Sequence, residues 1–249
     1  MASIISKSVP KPKAAAKVAA KTSLKAKPRF GSRAFAEVPT RQKAAKTVPV
    51  APDVASLPRE VRIIGGAWKR SKLPVSLLPG LRPTPDRVRE TLFNWLGADL
   101  SGWRCLDAFA GSGALGFEAA SRGAAAVVLI EREARQARSL EDSKLRLKAD
   151  TLQVIATDAL AWMRRGAPGS FELVFIDPPF GSDLLGPALA AAARLAVPHG
   201  YIYLEAAHAY TAEEVAPLDL SVHRHFRAGM VHAHLLQRKA GDYTADDIA

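Results

Sequence analysis

The chain has 249 residues, is 48% hydrophobic and carries a net charge of +11. That length and apolar content support one large core or two small ones, and a single cysteine, Cys105, excludes an intramolecular disulfide. No apolar run approaches the roughly 20 residues of a membrane span, the N-terminus lacks a secretory apolar core, and the six histidines make no zinc-type Cys/His cluster, so neither a membrane nor a metal is expected.

The charge is unevenly placed. Residues 1–60 hold 13 Lys/Arg against 3 Asp/Glu, whereas residues 61–249 hold 22 against 21. Residues 1–58 are rich in Ala, Lys, Ser and Pro, with seven prolines and few large apolar side chains. Such a segment cannot offset its own ordering entropy, and it is expected to be a disordered basic tail. Three roles compete for it: an electrostatic tether to RNA, a neutral spacer, or a basic, acid-poor organelle transit peptide.

Val61–Leu73 reads as a short apolar strand, the turn-prone Gly65-Gly66 pair and a second basic strand, which predicts a hairpin. Trp68, among the cations Arg62, Lys69, Arg70 and Lys72, is placed either to stack on a base or to cover the hairpin's apolar face. Leu81–Leu96 follows. Thr84 is a predicted N-cap with Pro85 at the first helical position. Val88, Leu92, Phe93 and Trp95/Leu96 recur at helical spacing, while Arg82, Arg87 and Arg89 are expected to point away from that face.

From Arg104 the pattern is strand, glycine loop and helix to about Arg122. A strand over Ala124–Ile130 ends at Glu131, and a basic amphipathic helix spans 132–148. Strand Leu152–Ala156 precedes a short helix, Asp158–Arg165. The apolar run to Ile176 is the fourth strand, and it stops at Asp177-Pro178-Pro179-Phe180. Helix Leu184–Ala196, strand Tyr201–Leu204 and two C-terminal strands, Ser221–Phe226 and Met230–Gln237, complete the chain. Alternating strands and helices imply a parallel sheet with right-handed crossovers. His223/His225 and His232/His234 alternate along the last strands without a carboxylate or thiol to complete a metal site.

Gly111-Ser112-Gly113-Ala114-Leu115-Gly116 fits G-x-G-x-x-G between a strand and a helix, with Glu131 twenty residues beyond Gly111. Alone this is a dinucleotide fingerprint. Asp107, just before the loop, argues otherwise, because its carboxylate would repel a pyrophosphate at the helix N-terminus. S-adenosylmethionine has no phosphate and carries an ammonium and a sulfonium. Glu131 is placed for ribose hydroxyls and Asp158 for an adenine amine. Asp107, Glu131, Asp158 and Asp177 all fall at strand ends, the rim where open α/β sheets bind ligands. Asp177 taken alone is also consistent with a capped strand end and a stiff proline turn.

The chain resembles the bacterial 16S ribosomal RNA (guanine-N2)-methyltransferases of the small subunit. The matching residues are Arg62-Ile63-Ile64-Gly65-Gly66-x-Trp68, then Leu81-Arg82-Pro83-Thr84-x-Asp86-Arg87-Val88-Arg89-Glu90-Thr91-Leu92-Phe93-Asn94-Trp95-Leu96. They continue with Leu106-Asp107-x-Phe109-Ala110-Gly111-Ser112-Gly113-Ala114-Leu115-Gly116-x-Glu118 and Asp177-Pro178-Pro179-Phe180. The resemblance implies a Rossmann-like S-adenosylmethionine-dependent methyltransferase fold: a seven-stranded, mostly parallel α/β sheet with a C-terminal antiparallel hairpin, preceded by a small β-hairpin and helix. It implies an RNA-facing segment over residues 59–96, a methyltransferase domain over 97–240 and a flexible C-terminus over 241–249.

Asp177, Pro178, Pro179 and Phe180 would be catalytic. Asp107, Phe109, Ala110, Gly111, Ser112, Gly113, Glu131, Asp158 and Ala159 would bind S-adenosylmethionine. Arg62, Trp68, Lys69, Arg70, Lys72, Arg82, Thr84 and Arg87 would meet the RNA. The implied partner is 16S rRNA in the small subunit or an assembly intermediate, met by a monomer in the bacterial cytoplasm. Other readings stay open at this point: a methyltransferase on a DNA base or protein amide, a non-catalytic RNA-binding assembly factor, and an NAD-dependent oxidoreductase. Deleting residues 1–58 should weaken RNA binding and flatten its salt dependence while sparing methyl transfer; binding titrations over a salt series check this, and an unchanged slope would leave the tail a spacer.

Overall fold

The computed structural model describes residues 59–75, 84–179 and 182–240. The tail over 1–58, Arg82 and Phe180, and the C-terminal 241–249 lie outside the described residues. Nine strands and six α-helices are described.

The sheet grows outward from β3 (Arg104–Asp107), in which the buried Cys105 and Leu106 lead to a buried terminal acid. On one side it pairs in parallel with β4 (Ala126–Glu131), which pairs with β5 (Leu152–Ala156). On the other it pairs with β6 (Phe171–Ile176), then β7 (Ala196–Ala206). The final strands, β8 (Leu220–Ala228) and β9 (Val231–Arg238), add antiparallel. The order is therefore β5-β4-β3-β6-β7-β9-β8. It reverses between β3 and β6, the switch point at which ligands bind in such sheets. This is the expected seven-stranded, mostly parallel sheet with a C-terminal antiparallel pair.

Side chains alternate across each strand, and the two faces hold two cores. Cys105, Phe175, Tyr203 and Leu235 face α1 (Asp86–Leu96), α2 (Ala114–Ser121) and α3 (Ala134–Leu147). Leu106, Ile176, Leu204 and Leu236 face α4 (Ala159–Arg165), α5 (Leu185–Leu195) and α6 (Ala212–Val215). Burial of Cys105 pushes its thiol up, as fits a core residue rather than a nucleophile. The short α6 escapes sequence periodicity. Its capping box, Thr211 with Glu214, is what marks it.

The predicted N-terminal hairpin forms: β1 (Glu60–Arg62) pairs antiparallel with β2 (Lys72–Pro74). Strands this short do not hold themselves. Ile63 and Leu73 enter the core shared with α1 and α2, and the turn is fixed by one carboxylate. Glu118 of α2 is fully buried. Its oxygens accept the Ile64 N–H at 2.7 Å, the Gly65 N–H at 2.8 Å and Arg122 Nε at 2.8 Å. Arg89 Nη1 lies 3.6 Å away. Next to it, Gly66 has φ +75°, and a Cβ there would stand 1.8 Å from the Ser121 carbonyl oxygen. Only glycine permits that approach.

Two expectations on α1 are corrected. Arg89 does not point to solvent; it is fully buried. It donates to the Arg62 carbonyl at 2.8 Å, to Asp86 at 2.7 Å and to the Thr84 carbonyl at 3.3 Å. A buried guanidinium needs such partners, and the end of β1, the start of α1 and the residue before its cap supply them. Thr84 is not the N-cap either: the cap position is Pro85, with no side-chain cap bond. The Thr84 hydroxyl is turned inward instead.

Glu118→Ala should lower unfolding stability by about 3–5 kcal/mol, because it removes the shared carboxylate of Arg89 and Arg122 and leaves the Ile64 and Gly65 amides without their acceptor. Urea unfolding measures this.

Candidate active site

The C-terminal rim of the parallel strands collects acids. Asp107 ends β3, Glu131 ends β4, Asp158 follows β5, Asp177 follows β6, and Glu205 lies one residue from the end of β7. By strand alternation Asp107, Asp177 and Glu205 share the face covered by α1 and α2.

Asp107 is buried and its Oδ2 accepts the Gly116 N–H at 2.9 Å. Gly116 is needed for this closeness: a Cβ would meet Leu129 at 2.1 Å and the Asp107 carboxylate at 3.1 Å. Burial raises the Asp107 carboxyl from 3.8 to about 7; the Gly116 amide opposes the rise, the Glu131 charge adds to it, and the Phe109 amide opposes it in turn. The loop between β3 and α2 is buried at Ala110, Gly111, Ser112 and Gly113 and half-buried at Phe109. Glu131 reaches back to it. One oxygen accepts the Gly111 N–H at 3.0 Å and the other the Glu133 N–H at 2.7 Å. Gln136, buried in α3, donates to the Gly111 carbonyl at 2.5 Å. Sequence reading missed this second tie on the loop; a glutamine on the inner face of a basic helix was the available signal. Asp158 is exposed and caps α4, accepting the Ala161 N–H at 2.8 Å, with Ala159 buried behind it.

Asp177 is half-buried. Burial is the main cause holding its carboxyl well above the usual carboxylate range; the charges of Glu205 and Asp107 add to it, and a hydrogen bond from the Thr84 hydroxyl opposes it. Pro178 is buried and Pro179 exposed. The Pro179 carbonyl accepts both the Ser182 N–H at 3.2 Å and its hydroxyl at 2.6 Å, so the turn is closed as well as stiff. Beside it, the buried Tyr203 phenol donates to Glu205 at 2.8 Å. Burial and the Glu205 charge push that phenol up. Glu205 and Tyr203 were not singled out as site residues. Their strand-end position was the signal, shared with Asp177.

The residues expected to meet RNA separate into two sets. Arg62, Lys69, Arg70, Lys72 and Arg87 are exposed. Lys72 pairs with Glu60 at 2.6 Å, and Arg62 lies 3.9 Å from Asp86. Trp68 is half-buried and packs on the core, so it covers the hairpin. Thr84 is buried. Its hydroxyl serves Asp177, so the surface role expected of it is corrected. Among the described residues no three His, Cys, Asp or Glu are grouped to hold a metal ion, and no helix is long and apolar enough to cross a membrane.

This arrangement has known relatives. Residues 61–237 match the family model described as conserved hypothetical protein 95. Over 195 residues the chain is 43% identical to ribosomal RNA small subunit methyltransferase D of Escherichia coli, covering 75% of this chain and 95% of that protein. The chain belongs to the ribosomal RNA small subunit methyltransferase D family. Two solved structures agree with this membership. One from Escherichia coli, described as a methyltransferase, superposes with a TM-score of 0.64 at 39% identity over 73% of this chain and 99% of its own. One from Haemophilus influenzae, described as a methylase, does so with a TM-score of 0.59 at 35% identity over 72% and 99%. The sheet and its rim are thus those of the Rossmann-like, S-adenosylmethionine-dependent methyltransferase fold in this family.

The raised Asp107 has a measurable consequence. Its folded value lies above its ordinary 3.8, so the folded chain keeps a proton that the unfolded chain releases. The associated stability is complete below about pH 4 and is lost as pH rises toward 7. Asp107→Asn should therefore stabilise the ligand-free protein at pH 8 by order of 1–3 kcal/mol and change little at pH 4. Unfolding curves at the two pH values check both arms.

Proposed function

We propose that this protein transfers the methyl group of S-adenosylmethionine to the exocyclic N2 of a guanine in 16S rRNA, within the small subunit or an assembly intermediate. The observation that carries the reading is Asp177. It stands on the C-terminal rim of the parallel strands, near Asp107 before the glycine loop, and is hydrogen-bonded to Thr84, which supports a carboxylate poised between a cofactor on that loop and the cationic N-terminal segment. The name of the Escherichia coli relative, a small-subunit rRNA methyltransferase, supports the choice of polymer.

The residues present suit this cofactor. Asp107, at the end of β3 and bonded to the first turn of α2, opposes a phosphate there, and a cation beside it relieves the charge that burial disfavours. Gly111 and Gly113 let the backbone approach a ligand. Glu131 has both oxygens bound to amides, yet each keeps a lone pair for a ribose hydroxyl. Asp158 uses one oxygen as a helix cap and offers the other to an adenine amine. When bound, S-adenosylmethionine supplies an electrophilic methyl on a sulfonium.

The protein's part is positioning and proton management. A guanine amine is a weak nucleophile because its lone pair is delocalised into the ring. Asp177 would accept one N–H and the Pro178 carbonyl the other, which favours a pyramidal nitrogen with its lone pair aimed outward. Phe180 would stack on the base, which must leave any helix to enter. The proton lost from the methylated nitrogen would pass to Asp177, whose raised proton affinity suits it to receive one.

Asp177→Ala should lower the transfer rate by about 10²–10⁴-fold with cofactor binding and fold retained. Transfer of labelled methyl to small subunits, followed by mass spectrometry of the rRNA, tests both the rate and the modified guanine. Full activity in the variant, or a methyl group on another base, would refute the reading.

A further inference from the structure

Two large apolar side chains stand out in solvent among the described residues: Leu145, and Met230 in the turn between β8 and β9. Met230 is 72% exposed and follows Gly229 at φ +62°. The position of this turn follows from register. His232 of β9 pairs with Ala206 at the end of β7, and Ala228 pairs with Val231. Because β9 runs against β7, the turn stands just beyond the C-terminal rim, on the edge that holds Asp177. Two strand spacings separate β9 from β6, roughly 10 Å.

The charge of this element is one-sided. From Leu220 to Ala240 there are four Lys/Arg, four His and no Asp or Glu. Arg224, His225 and Arg227 are exposed on β8, which is the edge strand of the sheet among the described residues. Arg227 Nε donates to the Gly229 carbonyl at 2.8 Å and holds the turn. The element is also fixed to the catalytic face, because Phe226 packs edge-on against Trp95 of α1 at 5.3 Å.

We propose that the β8–β9 turn is a second RNA contact, flanking the target base on the side opposite the N-terminal hairpin. Arg224 and Arg227 meet phosphates, and Met230 packs on a nucleotide next to the one that is methylated. This rests on the proposed rRNA substrate. Cations on an open edge strand have an alternative use, which is to keep edges of two molecules from pairing. That use gives no reason for an apolar residue at the tip, and it places no demand on the rim.

The test uses the full chain and small ribosomal subunits from cells lacking this methylation. For Arg224→Glu/Arg227→Glu the KM for subunits should rise about tenfold or more, and the slope of log affinity against log salt should fall by about 2. The kcat at saturation and the affinity for S-adenosylmethionine should stay within twofold. Arg224→Glu alone spares the Arg227–Gly229 bond and should lower the slope by about 1. Met230→Ala should raise KM about threefold with the slope unchanged. If wild-type protein transfers methyl while the arginine variants keep their KM and slope, the contact is refuted and the substrate reading stands. Self-association of those variants at unchanged KM identifies edge protection and overturns the proposal. Failure of wild-type protein to methylate any small subunit overturns both.

Discussion

The described fold depends on the buried Glu118 carboxylate. The N-terminal hairpin has strands of three residues and is too small to be stable alone. It is held because Glu118 accepts two consecutive amides of its turn. A buried charge without partners is costly, and Arg89 and Arg122 answer it from α1 and from the end of α2. Arg122 also lies 4.8 Å over the Phe93 ring, joining the ion cluster to the apolar core. Three segments thus fix one another. The consequence reaches the rim: the same Arg89 holds the Thr84 carbonyl, and the Thr84 hydroxyl holds Asp177. The N-terminal hairpin and the catalytic candidate are connected through a few bonds rather than merely adjacent.

The rim itself is electrostatically unfavourable when empty. Asp107, Asp177 and Glu205 share one face on neighbouring strands; burial raises the first two, with the Glu131 charge adding at Asp107 and the Glu205 and Asp107 charges adding at Asp177. A fold selected for stability alone would place neutral groups there. The arrangement makes sense if a cation completes it, which is what the proposed cofactor brings. Asp107 and Asp177 then divide the labour by environment. Asp107 receives amides at a helix start and favours a nearby positive charge. Asp177 receives a hydroxyl and faces another acid, which suits a proton acceptor.

Most of this architecture was legible in the sequence. The inner parallel strands announce themselves by apolar runs, and the acids at or just beyond the ends of β3, β4, β5 and β6 mark the rim. The glycine loop and the proline turn punctuate it. What was not legible is the interior use of polar residues. Arg89 reads as one more cation on a helix, and only the tertiary location of the hairpin turns it inward. Thr84 satisfies every local rule for an N-cap, yet its hydroxyl is taken by a carboxylate more than 90 residues later in the chain. Glu118 lies in an apolar helix segment where its partners come from 53 and 54 residues away. Local pattern carries period and punctuation. It does not carry which buried charges find each other.

The layout of charge as a whole bears on how a polyanion can be handled without entering the pocket. The rim collects five carboxyls, Asp107, Glu131, Asp158, Asp177 and Glu205, and so disfavours a phosphate. Exposed cations stand to its sides, on the N-terminal hairpin and on the β8–β9 element. A backbone held at the flanks leaves the centre to groups that carry no negative charge, such as an extruded base and a sulfonium. Selectivity between a base and a phosphate then requires no contact that reads sequence. It follows from the sign of the potential at each place; in the proposed reaction, the choice among bases falls to the groups around Asp177.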